Sequence, residues 1–244
     1  TYTTAGLPDM ETTKKIMFAQ QEAGIDVMEL GIPFSDPVAD GPVIQAASYE
    51  AIQKGATLTK IFTLMKEVRK EGLTTPVVFM MYYNTVYHYG LEEFVEMCAD
   101  CGVDGLIIPD LPYEEQKEIN AVLAENEAAP ILIQLVSPVS KQRIPMIVNN
   151  ARGFVYCVSQ MGVTGNGANF HKQIREYLLE VKKNSPVPVM MGFGIRTAGD
   201  VEPLEDIIDG AIVGSHFITL MKENNYDENV IKEYISSFKK EMNE

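Results

Sequence analysis

The chain has 244 residues, 46% hydrophobic and 22% charged, which fits one large α/β domain or two small ones and excludes a disordered protein. A formal net charge of −14 argues against a nucleic-acid or anionic-membrane surface, so an anionic ligand has to be met locally by backbone N–H groups. The three cysteines, Cys98, Cys101 and Cys157, are too few and odd in number for a disulfide framework.

Short apolar runs alternate with helical patterns along the whole chain. The first run, residues 2–5, precedes a helix with Ile16, Ala19 and Ala23 on one face and Asp9 or Thr12 as cap. Because a strand begins almost at Thr1, a short N-terminal segment is expected to be missing. The second run, 25–30, is followed by a loop rich in acids and prolines and by two helical stretches, the second with Ile61, Leu64, Met65 and Val68 at helical spacing. Run three, 76–81, leads to a helix from Leu91, and run four, 103–108, to one with Ile119, Val122 and Leu123. Run five, 130–135, precedes Ile144, Ile147 and Val148. Run six, 153–158, precedes a glycine-rich loop, 159–169, and then Ile174, Tyr177, Leu178 and Val181. Run seven, 188–191, is expected to lead to a helix from Thr197. Run eight, 210–213, leads to a short helix, 215–221, and a last helix with Ile231, Tyr234, Ile235 and Phe238. The runs are continuous rather than alternating, as in parallel strands buried on both faces. Eight β/α units in this length predict a single-domain (β/α)8 barrel over residues 1–244. A doubly wound sheet is the runner-up, and the glycine fingerprint that would support it is absent after strand one.

Active sites of such barrels lie at the C-terminal ends of the strands. There stand Glu29 at the end of strand two, Asp40 eleven positions later on its loop, Asp110 after strand four and Tyr156 near the end of strand six. A carboxylate inside an apolar strand is costly without a partner or a task, which singles out Glu29. Asp110 is as easily a solvated loop acid. Glycine turns follow strands six (162–165), seven (192–195) and eight (214–215), where barrels often bind phosphate against the N-terminus of a short helix. Cys98 and Cys101 form a C-x-x-C on a helical pattern and read as packing. His88, His171 and His216 show no metal spacing, and no metal site is expected. No secretory leader or membrane-length apolar run is visible, so the protein is expected in the cytoplasm.

The segment Glu29-Leu30-Gly31-Ile32-Pro33-Phe34-Ser35-Asp36-Pro37-Val38-Ala39-Asp40-Gly41-Pro42 resembles the signature of the tryptophan synthase α-subunit family. The similarity continues in Met81-Tyr82-Tyr83-Asn84, Pro109-Asp110-Leu111-Pro112, Gly162-Val163-Thr164-Gly165, Gly192-Phe193-Gly194-Ile195 and Gly214-Ser215. The resemblance implies a (β/α)8 barrel that cleaves indole-3-glycerol phosphate to indole and glyceraldehyde 3-phosphate without a cofactor of its own. By motif, Glu29 and Asp40 match the family's catalytic acids and Tyr156 the tyrosine beside the glutamate. Gly165, Gly192, Gly194, Gly214 and Ser215 match its phosphate site. Thr164 matches the threonine of a closing loop, and Tyr2, Ile44 and Phe193 the wall of the indole pocket. Implied too is a pyridoxal-phosphate β subunit in an α2β2 complex, docking near Asp36 and Asp110. Two departures stand out: the family's N-terminal helix is absent, and Gln160 stands where many relatives carry arginine. A stand-alone indole-releasing lyase, another phosphate-binding barrel of aromatic amino-acid synthesis and an allosteric binding subunit remain as alternatives.

Overall fold

The structure, a computed structural model, describes residues 1–158, 168–192 and 194–243, without the side chains of 168–172. The chain divides into two compact units, Thr1–Leu132 with Phe217–Glu244, and Ile133–His216.

In the first unit, strands β1 (Tyr2–Thr4), β2 (Met28–Gly31), β3 (Val77–Met80), β4 (Gly105–Ile107) and β5 (Ile131–Leu132) form a parallel sheet in chain order. Tyr2 pairs with Glu29, and Glu29 with Val78, so the acid sits inside the sheet with a ladder on each side. Helix α1 (Met10–Glu22) starts at Asp9, whose carboxylate accepts the Thr12 N–H at 2.7 Å. Helix α2 (Pro42–Gln53) begins with Pro42 in its first turn, where the missing N–H costs nothing. Helix α3 (Leu58–Lys70), capped by Thr57, buries the expected Ile61, Leu64, Met65 and Val68. Then come α4 (Tyr83–Tyr89), α5 (Leu91–Asp100) and α6 (Lys117–Ala124). Phe79 of β3 packs among Phe62 and Phe94, ring centroids 6.1 and 5.9 Å from Phe62. Cys98 and Cys101 lie in that same apolar cluster, as packing residues.

The second unit contains a parallel sheet of β6 (Gln134–Val136), β7 (Val155–Val158), β8 (Val189–Gly192) and β9 (Gly210–Ile212), with α7 (Ile144–Val148) and α8 (Ala168–Asn184). Ile174, Tyr177, Leu178 and Val181 of α8 are buried as the periodicity predicts. Helix α9 (Ser215–Glu223) follows β9 and runs into the first unit, which α10 (Glu228–Met242) closes in sequence.

One fastening recurs. Arg69, in the last turn of α3, donates to the Gly102, Leu73 and Thr75 carbonyls and meets Asp104 at 2.6 Å. Asp104, just before β4, also accepts the N–H of Val77, the first residue of β3, at 2.7 Å. In the second unit Lys182 of α8 meets Asp209 at 2.6 Å, and Asp209 accepts the N–H of Val189, first in β8, at 2.7 Å. Each aspartate thus ties the start of one strand to the residue before the next.

Two expectations change and one helix is added. Run five is one apolar segment in sequence, yet Ile131–Leu132 ladders onto β4 and Gln134–Val136 onto β7, with Ile133 in neither ladder. Residues 83–89, between run three and the helix from Leu91, form α4. The helix expected from Thr197 is instead a pair of 3₁₀ turns, Ala198–Asp200 and Glu202–Leu204. There Asp200 turns back to accept the Arg196 and Thr197 N–H groups, both at 2.9 Å, and Pro203 removes the donor a regular helix would need.

Candidate active site

Glu29 enters from the middle of the first sheet and is 5% exposed. Its Oε1 atom is buried with no hydrogen-bond partner among the described residues. Burial pushes its carboxyl up to about 7; the ammonium of Thr1 acts against that rise, and the charge of Asp40 adds a smaller push upward. Such a group is poised between acid and base at neutral pH.

Asp40 is held by its loop and by β3. The loop turns on bonds from Val38 N–H to the Asp36 carbonyl (2.8 Å) and from Asp40 N–H to the Pro37 carbonyl (3.0 Å). Gln45 of α2 donates to the Asp40 carbonyl at 2.8 Å. The Asp40 carboxylate accepts the Tyr82 hydroxyl at 3.0 Å. Burial raises its carboxyl to about 6, and the Tyr82 hydrogen bond acts against that rise. The two acids therefore differ in kind: one buried and unpaired, the other half-buried with a neutral donor. That is the pattern of paired carboxylates with separate roles.

Tyr2, on β1, is buried and its phenol lies against Gly31 at the end of β2, where any side chain would overlap the ring. Burial first, then Asp40 and Glu29, keep that phenol protonated. Glu29, Asp40 and Tyr2 are thus brought together, and Ile44 follows on α2, half-buried. The second unit repeats the seating. Tyr156 of β7 lies against Gly192 at the end of β8, leaving no room for a side chain there. In both cases the glycine is two residues past the tyrosine's register partner, Glu29 or Met190, so both lie on one face of the sheet. Gly194 has φ +79° and open space where a side chain would project, and α9 begins at Ser215, directly after Gly214. A left-handed glycine and a helix start are backbone settings in which N–H groups can face an anion. Thr164, Gly165 and Phe193, with Gln160, lie outside the described residues.

Asp110 is exposed and accepts the Tyr83 N–H at 2.9 Å, capping the first turn of α4, so its local role is structural. The thiols of Cys98 and Cys101 are pushed up by burial, that of Cys101 to about 11, which makes them inert. Among the described residues no cluster of His, Cys, Asp or Glu could hold a metal, and no helix is long and apolar enough to cross a membrane. Sequence reasoning missed Tyr82. Its signal was present, a tyrosine just past strand three in Met81-Tyr82-Tyr83-Asn84, but a tyrosine beside an apolar run reads first as core.

The sequence profile described as "Tryptophan synthase alpha chain" matches residues 1–244. A tryptophan synthase alpha chain from Lachnospira eligens is 74% identical over 243 residues, covering 100% of this chain and 92% of that protein. One from Thermoanaerobacter is 45% identical, covering 98% and 91%. Among solved structures, the alpha subunit from Legionella pneumophila superposes with a TM-score of 0.88 at 32% identity, covering 99% of this chain and 91% of that one. A chain of the tryptophan synthase complex from Pyrococcus furiosus gives 0.85 at 31%, covering 98% and 96%. These likenesses place the fold in the (β/α)8 barrel class, and by profile, identity and structure alike the chain belongs to the tryptophan synthase α-chain family.

Proposed function

We propose that Glu29 and Asp40 carry the family's lyase reaction, the retro-aldol cleavage of indole-3-glycerol phosphate to indole and glyceraldehyde 3-phosphate. The reaction breaks the bond between indole C3 and the first carbon of the glycerol chain. Glu29, protonated, delivers its proton to C3, and positive charge grows on the ring nitrogen. Asp40, ionised, accepts the ring N–H and stabilises that charge. The carbon–carbon pair then returns to the ring, the adjacent hydroxyl becomes the aldehyde, and Glu29 takes up the hydroxyl proton. One carboxyl serves as acid and then base, and the proton account closes. The observation that carries this reading is the buried Glu29 carboxylate, unpaired at Oε1 and raised to about 7, within electrostatic reach of Asp40.

Tyr2 and Ile44 wall the indole ring in this reading, and Tyr156 keeps the role its motif implies. Gly192, Gly194, Gly214 and Ser215 hold the phosphate through backbone N–H groups, so binding energy from the far end of the substrate orients the reacting end. Thr164, Gly165 and Phe193 keep the roles their motifs imply. The chemistry needs only proton transfer and hydrogen bonds, so no cofactor is assigned to this chain. The Pyrococcus furiosus relative is described as part of a mutually activating α2β2 complex. We extend that assembly to this chain, with a pyridoxal-phosphate β subunit consuming the indole, docking near Asp36 and Asp110, in the cytoplasm, and with residues 1–244 acting as one barrel domain.

Indole release from indole-3-glycerol phosphate tests the assignment. Glu29→Gln should lower kcat by roughly 10²–10⁴. Asp40→Asn should cripple cleavage while leaving the affinity for glycerol 3-phosphate nearly unchanged. Activity within a few-fold of the parent in either variant would refute that residue's role.

A further inference from the structure

We propose that Tyr82 is a positioning residue for Asp40: its hydroxyl is clipped to two consecutive residues of the acid-bearing loop and fixes the orientation in which the carboxylate meets the substrate. The inference rests on the reading of Asp40 as the ionised partner of the ring N–H.

The hydroxyl oxygen accepts the Ala39 N–H at 2.9 Å and donates to Asp40 Oδ2 at 3.0 Å. The first bond restricts where the hydroxyl proton can point, and the second uses that proton. A hydroxyl engaged as acceptor by a backbone donor is a stronger donor to its own acceptor. The ring is held as firmly as its tip. It is 3% exposed and stacks on Phe34 of the same loop, centroids 5.1 Å apart and planes 22° from parallel. Phe34 is tied to α2 through its N–H on the Ser48 hydroxyl at 3.4 Å. One side chain just past β3 therefore grips the loop after β2 by backbone, carboxylate and aromatic face. Its neighbour Tyr83 gives its N–H to Asp110 at 2.9 Å, so the loop after β4 holds the same turn of chain. The titratable groups facing Asp40 are Tyr82, Tyr2 and Glu29; those facing Tyr82 are Asp40, Asp110 and Tyr2. The Tyr82 phenol, raised by burial and then by Asp40, stays protonated and keeps donating throughout the working range.

Tyr82→Phe keeps the ring and its stacking and removes only the clip. In the full chain, assayed by indole release across pH, kcat should fall about 10- to 100-fold, the scale of a hydrogen bond to a charged group. KM should move little, since the phosphate end is untouched. Asp40 loses the donor that holds its carboxyl down, so the rising limb of kcat/KM should move to higher pH. A purely structural role would leave that limb in place. An unchanged limb, or a kcat within two-fold of the parent, overturns the proposal. Asp40→Asn, measured alongside, separates the two readings. If it is inactive while Tyr82→Phe has the parent profile, only the role of Tyr82 fails. If it is active, the reading of Asp40 fails and that of Tyr82 with it.

Discussion

At the scale of single residues, the buried carboxyl of Glu29, the proposed acid and base, carries a cost in stability that depends on pH. Its carboxyl has an ordinary value of 4.5 and stands at about 7 in the folded chain. Between those values the native state holds a proton that the unfolded chain releases, so folding stability falls as pH rises through that window. Below 4.5 both states are protonated and nothing is lost; above 7 the full cost, at most about 3 kcal/mol, is present. Glu29→Gln has no such titration. Its melting temperature should exceed the parent's by several degrees at pH 8 and match it near pH 4, while indole release is abolished. Parallel melting curves across pH would show that the acid is not buried as described. Glu29 and Asp40 were legible in the sequence because acids among apolar and proline-rich neighbours need a reason. Tyr82 was not, because its task depends on a loop more than forty positions away that touches it only in the folded chain.

At the scale of elements, the strand ends matter most. Gly31 and Gly192 each close a strand where a tyrosine ring from the preceding strand lies across the backbone. Gly31→Ala or Gly192→Ala would drive a methyl group into that ring, costing about 1–3 kcal/mol by overpacking. Both variants should melt lower. Gly192→Ala should also raise KM, because Tyr156 and the adjoining anion turn must shift together. A melt equal to the parent's would mean that the ring has free space. Strand runs and helix faces could be read from periodicity, since burial on both faces writes continuous apolar stretches and helices write spaced ones. The break at Ile133 could not: which ladder a residue joins leaves no trace in its own hydropathy. Nor could the turns after β8, where Gly199 and Pro203 compete with an otherwise helical pattern.

On the scale of the whole molecule, the net charge of −14 leaves the proposed phosphate site without a general attractive field behind it. Binding carried by backbone N–H groups should depend weakly on ionic strength, unlike capture by a lysine cluster. Raising salt from low to physiological levels should change KM less than two-fold, and a steep rise would point to side-chain cations instead. The paired fastenings, Arg69–Asp104–Val77 and Lys182–Asp209–Val189, secure strands at the end where they begin, whereas Asp40 and the glycine turns follow where strands finish, and Glu29 is the second residue of β2 rather than its last. Cooperative opening need not be uniform along a strand. In amide hydrogen exchange, the Val77 and Val189 N–H groups should rank among the slowest of their strands, with protection declining toward Met80 and Gly192. β3 and β8 are in this sense anchored cantilevers: the clamped end can keep a stable record of the fold while the other end changes chemistry over evolutionary time.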